Sequence, residues 1–230
     1  MEEKILAIVI PVFNNWHFTK NTIQYLNCLN KTHHIIIVDN ASTDNTSKLI
    51  SSENITVIKN SQNLFFAKAC NQGYFEAKKL GYKNVMFLNN DIKVVDKYSD
   101  WTKDLIHYSE LGMIVGPTVG CLDSNYNFIC EAGKIPTNGH WYLSGWNITA
   151  SIENWDKLVL PGEIGPFSSE FGFYFEDTDL GLRAHKQNIM CSVVPVPVKH
   201  FGKASSKQLG VNTLFSNAKT IFLNKWGKTT

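Results

Sequence analysis

Cysteine is scarce and unpatterned in this chain. Its 5 cysteines, Cys28, Cys70, Cys121, Cys130 and Cys191, are scattered over 230 residues with no Cys-x-x-Cys pair and an odd total. That spacing excludes a disulfide framework and a cysteine-built zinc site, and fits a reducing, cytoplasmic setting. Charge of one sign is also lacking. The net charge is +2 and no long Lys/Arg run occurs, which removes the electrostatic footprint of a nucleic-acid partner. No apolar run reaches membrane length: Ile5–Ile10 is stopped at once by Pro11 and is followed by no small-residue cleavage site, so it reads as a buried strand. Internal repeats, low-complexity tracts and a clean linker are absent as well. Asn-x-Ser/Thr triplets begin at Asn30, Asn40, Asn45, Asn54 and Asn147, but without a secretion signal they carry no weight in an Asn-rich chain.

What remains is a globular composition, 43% hydrophobic, in a length that suits one domain or one with a modest appendage. In the first half, apolar runs of strand length alternate with segments of helical period. Strands are predicted at Ile5–Ile10, His34–Val38, Ile55–Lys59 and Val85–Leu88. Phe18, Thr22, Tyr25, Leu26 and Leu29 mark one helical face, and Ala67, Cys70, Tyr74, Ala77 and Leu80 another. The pattern predicts an open α/β sheet, and such sheets bind ligands beyond the carboxyl ends of their strands. Polar clusters fall there: Asn14-Asn15, Asp39-Asn40 through Asp44, and Asn89-Asn90-Asp91.

After about residue 110 the alternation fails. Short β-like runs near Phe128–Ile135 and His140–Trp146 predict an irregular second part sharing one core with the first, and Thr213–Trp226 reads as a closing helix with Leu214, Ala218, Ile221 and Phe222 inward. Within this half, Phe173-Tyr-Phe-Glu-Asp-Thr-Asp-Leu-Gly-Leu-Arg183 runs three aromatics into paired carboxylates at a helix start. Burial raises a carboxylate's pKa and makes it a usable proton acceptor, while a helix N-terminus favours its ionised form. A general base at Glu176 or Asp177 is one reading. The other is ordinary: Asp177 or Thr178 caps the helix, and Asp179 pairs with Arg183 one turn on as a surface device.

Val9-Ile-Pro-Val-Phe-Asn14, Val38-Asp-Asn-Ala-Ser-Thr43, Asn63 through Gly73, Leu88-Asn-Asn-Asp91, Phe175-Glu-Asp-Thr-Asp-Leu180 and His200 occur in the order seen in family 2 glycosyltransferases. Over about residues 5–205 the chain resembles an inverting, nucleotide-sugar-dependent transferase of GT-A fold, and within the family it looks most like the rhamnosyltransferase-like enzymes of surface-polysaccharide assembly. The resemblance implies a single domain over 1–230, an open, Rossmann-like, mostly parallel sheet flanked by helices, with residues 1–110 binding the nucleotide sugar and 111–230 forming the acceptor and catalytic half.

It also assigns roles. Pro11, Phe13 and Asn14 resemble the first nucleotide-binding turn, Asp39 and Asn40 contact base or ribose, and Asn63, Asn71, Asn89 and Asn90 line the donor site. Asp91, with His200, holds Mn²⁺ or Mg²⁺ on the diphosphate, whose concentrated negative charge calls for a divalent cation. Asn89 stands where the family often has the first Asp of Asp-x-Asp, so one carboxylate replaces two. Taken alone, His200 reads as a core or turn residue, Asp39 as a helix cap and the Pro11–Asn14 stretch as a strand-ending turn. Asp177 is assigned as base, removing the acceptor hydroxyl's proton, with Glu176 orienting the acceptor or supporting the base.

Two departures are local. Phe65 replaces a usual Gly, and Ser168 in Ile164–Phe171 replaces a common Asp, altering acceptor contacts. Trp141, Tyr142, Trp146 and Trp155 suit sugar stacking or core filling, and Gly202–Lys207 suits a loop closing over a diphosphate.

The implied reaction moves a sugar from a UDP- or dTDP-sugar to a glycan, lipid-linked or protein-linked acceptor, in the cytoplasm, where a lipid-linked acceptor would bring the protein to the inner face of a membrane. No protein partner is defined. A catalytically silent nucleotide-sugar or glycan-binding module is the alternative. A sugar-nucleotide-forming nucleotidyltransferase is disfavoured because residues 11–20 hold no glycine and only Lys20 as a base.

Overall fold

The computed structural model describes residues 3–29, 33–96, 100–202 and 211–227. In chain order these form β1 (Leu6–Val12), α1 (Trp16–Asn27), β2 (His33–Asp39), a 3₁₀ turn (Asn45–Lys48), β3 (Ile55–Lys59), α2 (Phe65–Lys79), β4 (Asn84–Leu88), β5 (Ile92–Val94) and α3 (Thr102–Glu110). The second half adds β6 (Ile114–Gly116), β7 (Val119–Leu122), β8 (Phe128–Ala132), β9 (His140–Leu143), β10 (Asn147–Ser151), α4 (Ile152–Lys157), α5 (Glu176–Lys186), β11 (Cys191–Val193), β12 (Val198–His200) and α6 (Val211–Trp226). The strands predicted in the first half and the closing helix are all present, with boundaries within two residues of those read from the sequence.

A 7-stranded sheet runs in the order β11-β6-β10-β4-β1-β2-β3. β1 pairs in parallel with β2 and with β4, β2 with β3, and β11 with β6, whereas β10 is inserted antiparallel between β4 and β6. The alternation of β1 explains the layering. Ala7 and Val9 face one core with Ala67, Cys70, Tyr74 and Ala77 of α2, Phe87, Trp155 and Leu180 of α5. Leu6, Ile8 and Ile10 face the other with Leu26 of α1, Leu105 of α3 and Met86. A strand buried on both faces reads as a continuous apolar run, as Ile5–Ile10 does. Gly73 lets α2 sit against β1, since a Cβ there would come 2.2 Å from Val9 Cγ1.

Residues after 110 are less separate than their sequence suggests. β6, β10 and β11 complete the main sheet, but strands of three to five residues carry too little periodicity to be read. Two small sheets remain. β5 and β12 form an antiparallel ribbon, and β8-β7-β9 a three-stranded one. In the latter, Cys121 and Cys130 lie opposite each other as free thiols, a pairing invisible in their spacing. α6 docks through Ala218 and Phe222 onto Phe171 and Leu182.

Candidate active site

The parallel strands deliver their carboxyl ends to one cavity of about 240 Å³, lined by Pro11, Val12 and Phe13 after β1, Asn40 after β2, Asn63, Phe65 and Phe66 at the start of α2, and Asn89, Asn90 and Asp91 after β4. The second half contributes Ser144, Gly145, Trp146, Phe173, Tyr174, Glu176, Asp177 and His200. Most residues singled out from the sequence meet here. Asn14, Asp39 and Asn71 do not line the cavity, and each is engaged by the protein around it.

The Asn14 backbone N–H donates to Ser42 Oγ at 2.7 Å and its Oδ1 accepts from the Thr43 N–H at 2.8 Å. Asp39 is buried, with Oδ1 accepting from the Ser42 N–H at 2.9 Å. Together they clamp the loop after β2 against the turn after β1. Asn71 is buried on α2, donating to Phe167 O at 2.8 Å and accepting from the Phe167 N–H at 3.0 Å. Both ends of its amide are thereby used to hold the 163–169 loop. Ser168 of that loop is buried and donates to Glu170 Oε1 at 2.8 Å, away from the cavity lining.

Asn40 shapes the entry to α2: its Nδ2 donates to Phe65 O at 3.2 Å, and its Oδ1 accepts from Asn60 Nδ2 at 3.0 Å. Phe65 stands in place of the resembled family's glycine and keeps the glycine-like backbone, with φ 62°. The Asn63 side chain braces it, accepting from the Phe65 N–H at 2.8 Å. The tight turn therefore survives the bulky side chain, at a strain of about 1 kcal/mol or more. Tyr174 and Phe175, leading into α5, share this conformation with φ 77° and 67°. Two strained non-glycine residues, Phe65 and Tyr174, thus line this cavity, and a third, Phe175, follows directly.

Chain topology brings His200 to Asp91. The β5–β12 ribbon sets His200 opposite Ile92, and the Phe201 N–H donates to Asp91 O at 2.9 Å. Nε2 of His200 lies 3.0 Å from Asp91 Oδ1 and 3.1 Å from the side-chain nitrogen of Asn89. A carboxylate oxygen and an imidazole nitrogen converge at one point as candidate ligands, with the Asn89 NH2 beside them as a hydrogen-bond donor. The pair is not a ready-made protein cage, for among the described residues no group of three or more His, Cys, Asp or Glu side chains gathers to hold a metal. Asn90 is pinned to α1, donating from Nδ2 to Thr19 Oγ1 at 2.9 Å while its carbonyl accepts from Thr22 Oγ1 at 2.6 Å.

The two carboxyls at the start of α5 have unlike environments. Asp177 Oδ2 accepts from the Gly145 N–H at 2.9 Å, and Oδ1 from the Thr178 N–H at 2.7 Å. Burial pushes its pKa up, and these N–H donors oppose the rise by stabilising the carboxylate. Glu176 is buried with no hydrogen-bond partner for Oε2. Desolvation, reinforced by the Asp177 charge, raises its pKa to about 8. The two environments pull apart: backbone N–H donors favour the carboxylate form of Asp177, while burial without a partner favours the protonated form of Glu176, the separation of roles that acid–base sites use.

Four aromatic positions separate clearly. Trp155 is core, its Nε1–H donating to Val85 O at 3.0 Å. Trp141 packs on His185 with centroids 4.4 Å apart, and neither it nor Tyr142 lines the cavity. Trp146 does line it. Trp146 is the one of the four that could meet a sugar there, whereas Gly145 was not read from the sequence as a site residue and only its place between β9 and β10 puts it there. The predicted 202–207 loop lies, beyond Gly202, outside the described residues. No helix among the described residues is long and apolar enough to cross a membrane.

Residues 7–105 match the family described as Glycosyl transferase family 2. No curated protein matches the chain by sequence. Among solved structures it is similar to a mannosyltransferase, PcManGT from Pyrobaculum calidifontis, in complex with GDP-Man and Mn²⁺, at 14% identity and TM-score 0.57, over 84% of this chain and 55% of that one. It is similar also to S. aureus TarS 1-349, at 17% identity and TM-score 0.59 over 83% and 57% of the two chains with UDP, and at 16% and 0.59 over 96% and 67% with UDP-GlcNAc. The fold is therefore GT-A, and the chain spans between 55% and 57% of the first two of these structures.

Proposed function

We propose that the protein is a family 2 glycosyltransferase that moves a sugar from a nucleotide-diphosphate donor to an acceptor hydroxyl with inversion at the anomeric carbon. The observation that carries this reading is the convergence, in a single cavity at the strand carboxyl ends, of the Asp91–His200 pair and the Glu176–Asp177 pair. The family match over the sheet-forming half supports the donor side. The GDP-Man and UDP-GlcNAc complexes of the similar structures support a nucleotide sugar as co-substrate.

Pro11, Phe13, Asn40 and Asn63 form the wall suited to the nucleoside, with Asn14 and Asp39 shaping the loops that carry it. Asp91 and His200 would hold Mn²⁺ or Mg²⁺, which when bound neutralises the diphosphate leaving group. Asp177, aimed by the Gly145 N–H, accepts the acceptor hydroxyl's proton as that oxygen attacks from the face opposite the diphosphate. Protonated Glu176 offers an O–H to a sugar hydroxyl, so it orients substrate without competing for the same proton. A UDP- or dTDP-linked hexose or rhamnose is the donor class, and a glycan, lipid-linked or protein-linked hydroxyl the acceptor, in the cytoplasm or at the inner face of a membrane.

The test is nucleotide release from UDP-, dTDP- and GDP-sugars with Mn²⁺ or Mg²⁺, comparing the wild type with Asp177→Asn and Asp91→Ala. Metal-dependent release from one donor, lost in both variants, is the expected result. Binding without turnover, even with candidate acceptors added, would favour a silent binding module, the reading that Asn89 in place of a second carboxylate keeps in play.

A further inference from the structure

His200 reaches the diphosphate end of the cavity from a three-residue strand, and its side chain retains 21% of its surface exposed. An imidazole so placed has two torsions to fix, and the contact with Asp91 fixes only the position of Nε2. The ring plane is set by something else. Trp146 lies flat against it, with centroids 5.3 Å apart and planes 9° from parallel, within the range of offset aromatic stacking.

Trp146 is itself unusually constrained. It is 4% exposed, and its indole Nε1–H is directed at two acceptors, Thr118 Oγ1 at 2.8 Å and Glu131 Oε1 at 3.0 Å. Thr118 Oγ1–H in turn donates to Glu131 Oε1 at 2.6 Å. The Trp146 carbonyl accepts from the Asn89 N–H at 2.8 Å, which ties Trp146 to the strand end that carries Asn89 and Asp91. Trp146 therefore touches His200 through its ring and Asn89 through its backbone, while Thr118 and Glu131 lock the ring from behind.

The geometry points to Trp146 as a positioning residue, held by Thr118 and Glu131, that orients the His200 imidazole toward Asp91 and thereby sets the affinity of the site for a cation on a nucleoside diphosphate. The inference rests on the cation-binding role proposed for Asp91 and His200. Its chemistry is that of outer-shell control: a ligand imidazole free to rotate must lose that freedom on binding, and removing the groups that orient metal ligands costs about 10–100-fold in affinity. A stack used only for packing would make Trp146 matter to folding and Glu131 to very little.

Free Mn²⁺, followed by electron paramagnetic resonance while protein is titrated in with UDP and separately with GDP, gives the affinity without turnover. His200→Ala tests the premise and is expected to weaken Mn²⁺ binding strongly. Trp146→Ala should weaken it about tenfold. Because that truncation opens a buried site and can impair folding, Glu131→Ala is the decisive variant: its side chain lies toward the surface, its melting temperature should stay near the wild type, and its Mn²⁺ affinity should fall several-fold. Glu131→Gln, which keeps an acceptor oxygen for the indole, should restore it. Wild-type affinity in Glu131→Ala and Trp146→Ala, alongside loss in His200→Ala, would overturn the positioning role and leave the cation site standing. Wild-type affinity in His200→Ala would overturn both the site and the inference built on it.

Discussion

The backbone N–H of Gly145 donates to Asp177 Oδ2 at 2.9 Å, and the two residues are packed so closely that a Cβ at 145 would stand 3.0 Å from Asp177 Cβ and 3.1 Å from Oδ2. Gly145 does not need to be glycine for its backbone, because its φ is not in the left-handed region. Its lack of a side chain makes room for Asp177, whose atoms are the nearest. Gly145→Ala should therefore fold normally while pushing the carboxylate aside by a few tenths of an ångström. The expected result is a fall in kcat of about tenfold, by the steep dependence of proton transfer on placement, with little change in donor KM. Steady-state kinetics alongside a thermal melt would check it, and an unaltered kcat would remove Asp177 from its assigned position.

The acid pair makes two pH predictions. Glu176 binds a proton more tightly when folded than when unfolded, with its pKa raised from 4.5 to about 8. Its contribution to stability is complete below about pH 4.5 and is lost as pH rises toward 8, since across that window the unfolded chain ionises freely and the folded one resists. The slope from this one group is at most about 1.4 kcal/mol per pH unit. Glu176→Gln should flatten this decline and be relatively more stable at alkaline pH, as read by urea denaturation from pH 5 to 9. For activity, loss of the Glu176 proton should produce a falling limb of kcat/KM near pH 8, which Glu176→Gln abolishes while Asp177→Asn removes turnover at every pH. An alkaline limb that persists in Glu176→Gln would assign it to another group.

How much of this could be read in the sequence follows from the length over which each signal extends. β1 to β4 have five to seven residues each and stand between amphipathic helices, so their periodicity was plain and the positions of Asp39, Asn40 and Asn89 to Asp91 at strand ends followed. β6, β11 and β12 have three residues each, below the length at which alternation can be recognised, and yet β12 carries His200. Gly145 and Trp146 sit between β9 and β10, at the end of the short β-like run near His140–Trp146, and their roles in the site arise only from tertiary contact. Asn71 is the converse case. Its place in a recognisable segment suggests a ligand contact, whereas its amide is occupied by the Phe167 backbone and does not line the cavity. The spacing of Asp179 and Arg183 reads as a surface ion pair, yet both side chains are buried, because burial is not a local property of the sequence.

Phe65 offers a test of backbone strain. A left-handed φ of 62° penalises any residue with a Cβ by about 1–2 kcal/mol, and Phe65 accepts that cost while its ring covers part of the cavity wall. In an ordinary helix, Ala is more stable than Gly by about 1 kcal/mol. Here the order should reverse, with Phe65→Gly more stable than Phe65→Ala by a similar amount, and both should raise donor KM through the lost wall. Chemical denaturation of the two variants side by side would decide. Ala equal to or better than Gly would show that the turn relaxes out of this conformation.

Two ion pairs with identical helical spacing give the last prediction, because their surroundings alone distinguish them. Lys157 and Glu153 pair at 2.9 Å with side chains 48% and 81% exposed, and such pairs are worth about 0–1 kcal/mol. Asp179 and Arg183 pair at 2.7 Å with side chains 0% and 7% exposed. Asp179 Oδ1 also accepts from Trp226 Nε1 and Lys225 Nζ, each at 2.9 Å, while Arg183 donates to Leu158 O at 2.6 Å and Pro166 O at 2.7 Å. One carboxylate thus ties α5 to α6, and its guanidinium partner ties α5 to α4's end and to the loop before the Glu176–Asp177 pair. Asp179→Ala would leave a buried guanidinium without its counter-charge and should cost about 3–5 kcal/mol, against less than about 0.5 kcal/mol for Glu153→Ala. Urea denaturation of both variants measures the difference directly. Equal costs would mean that the buried pair is hydrated in solution and that α6 is held by Ala218 and Phe222 without it.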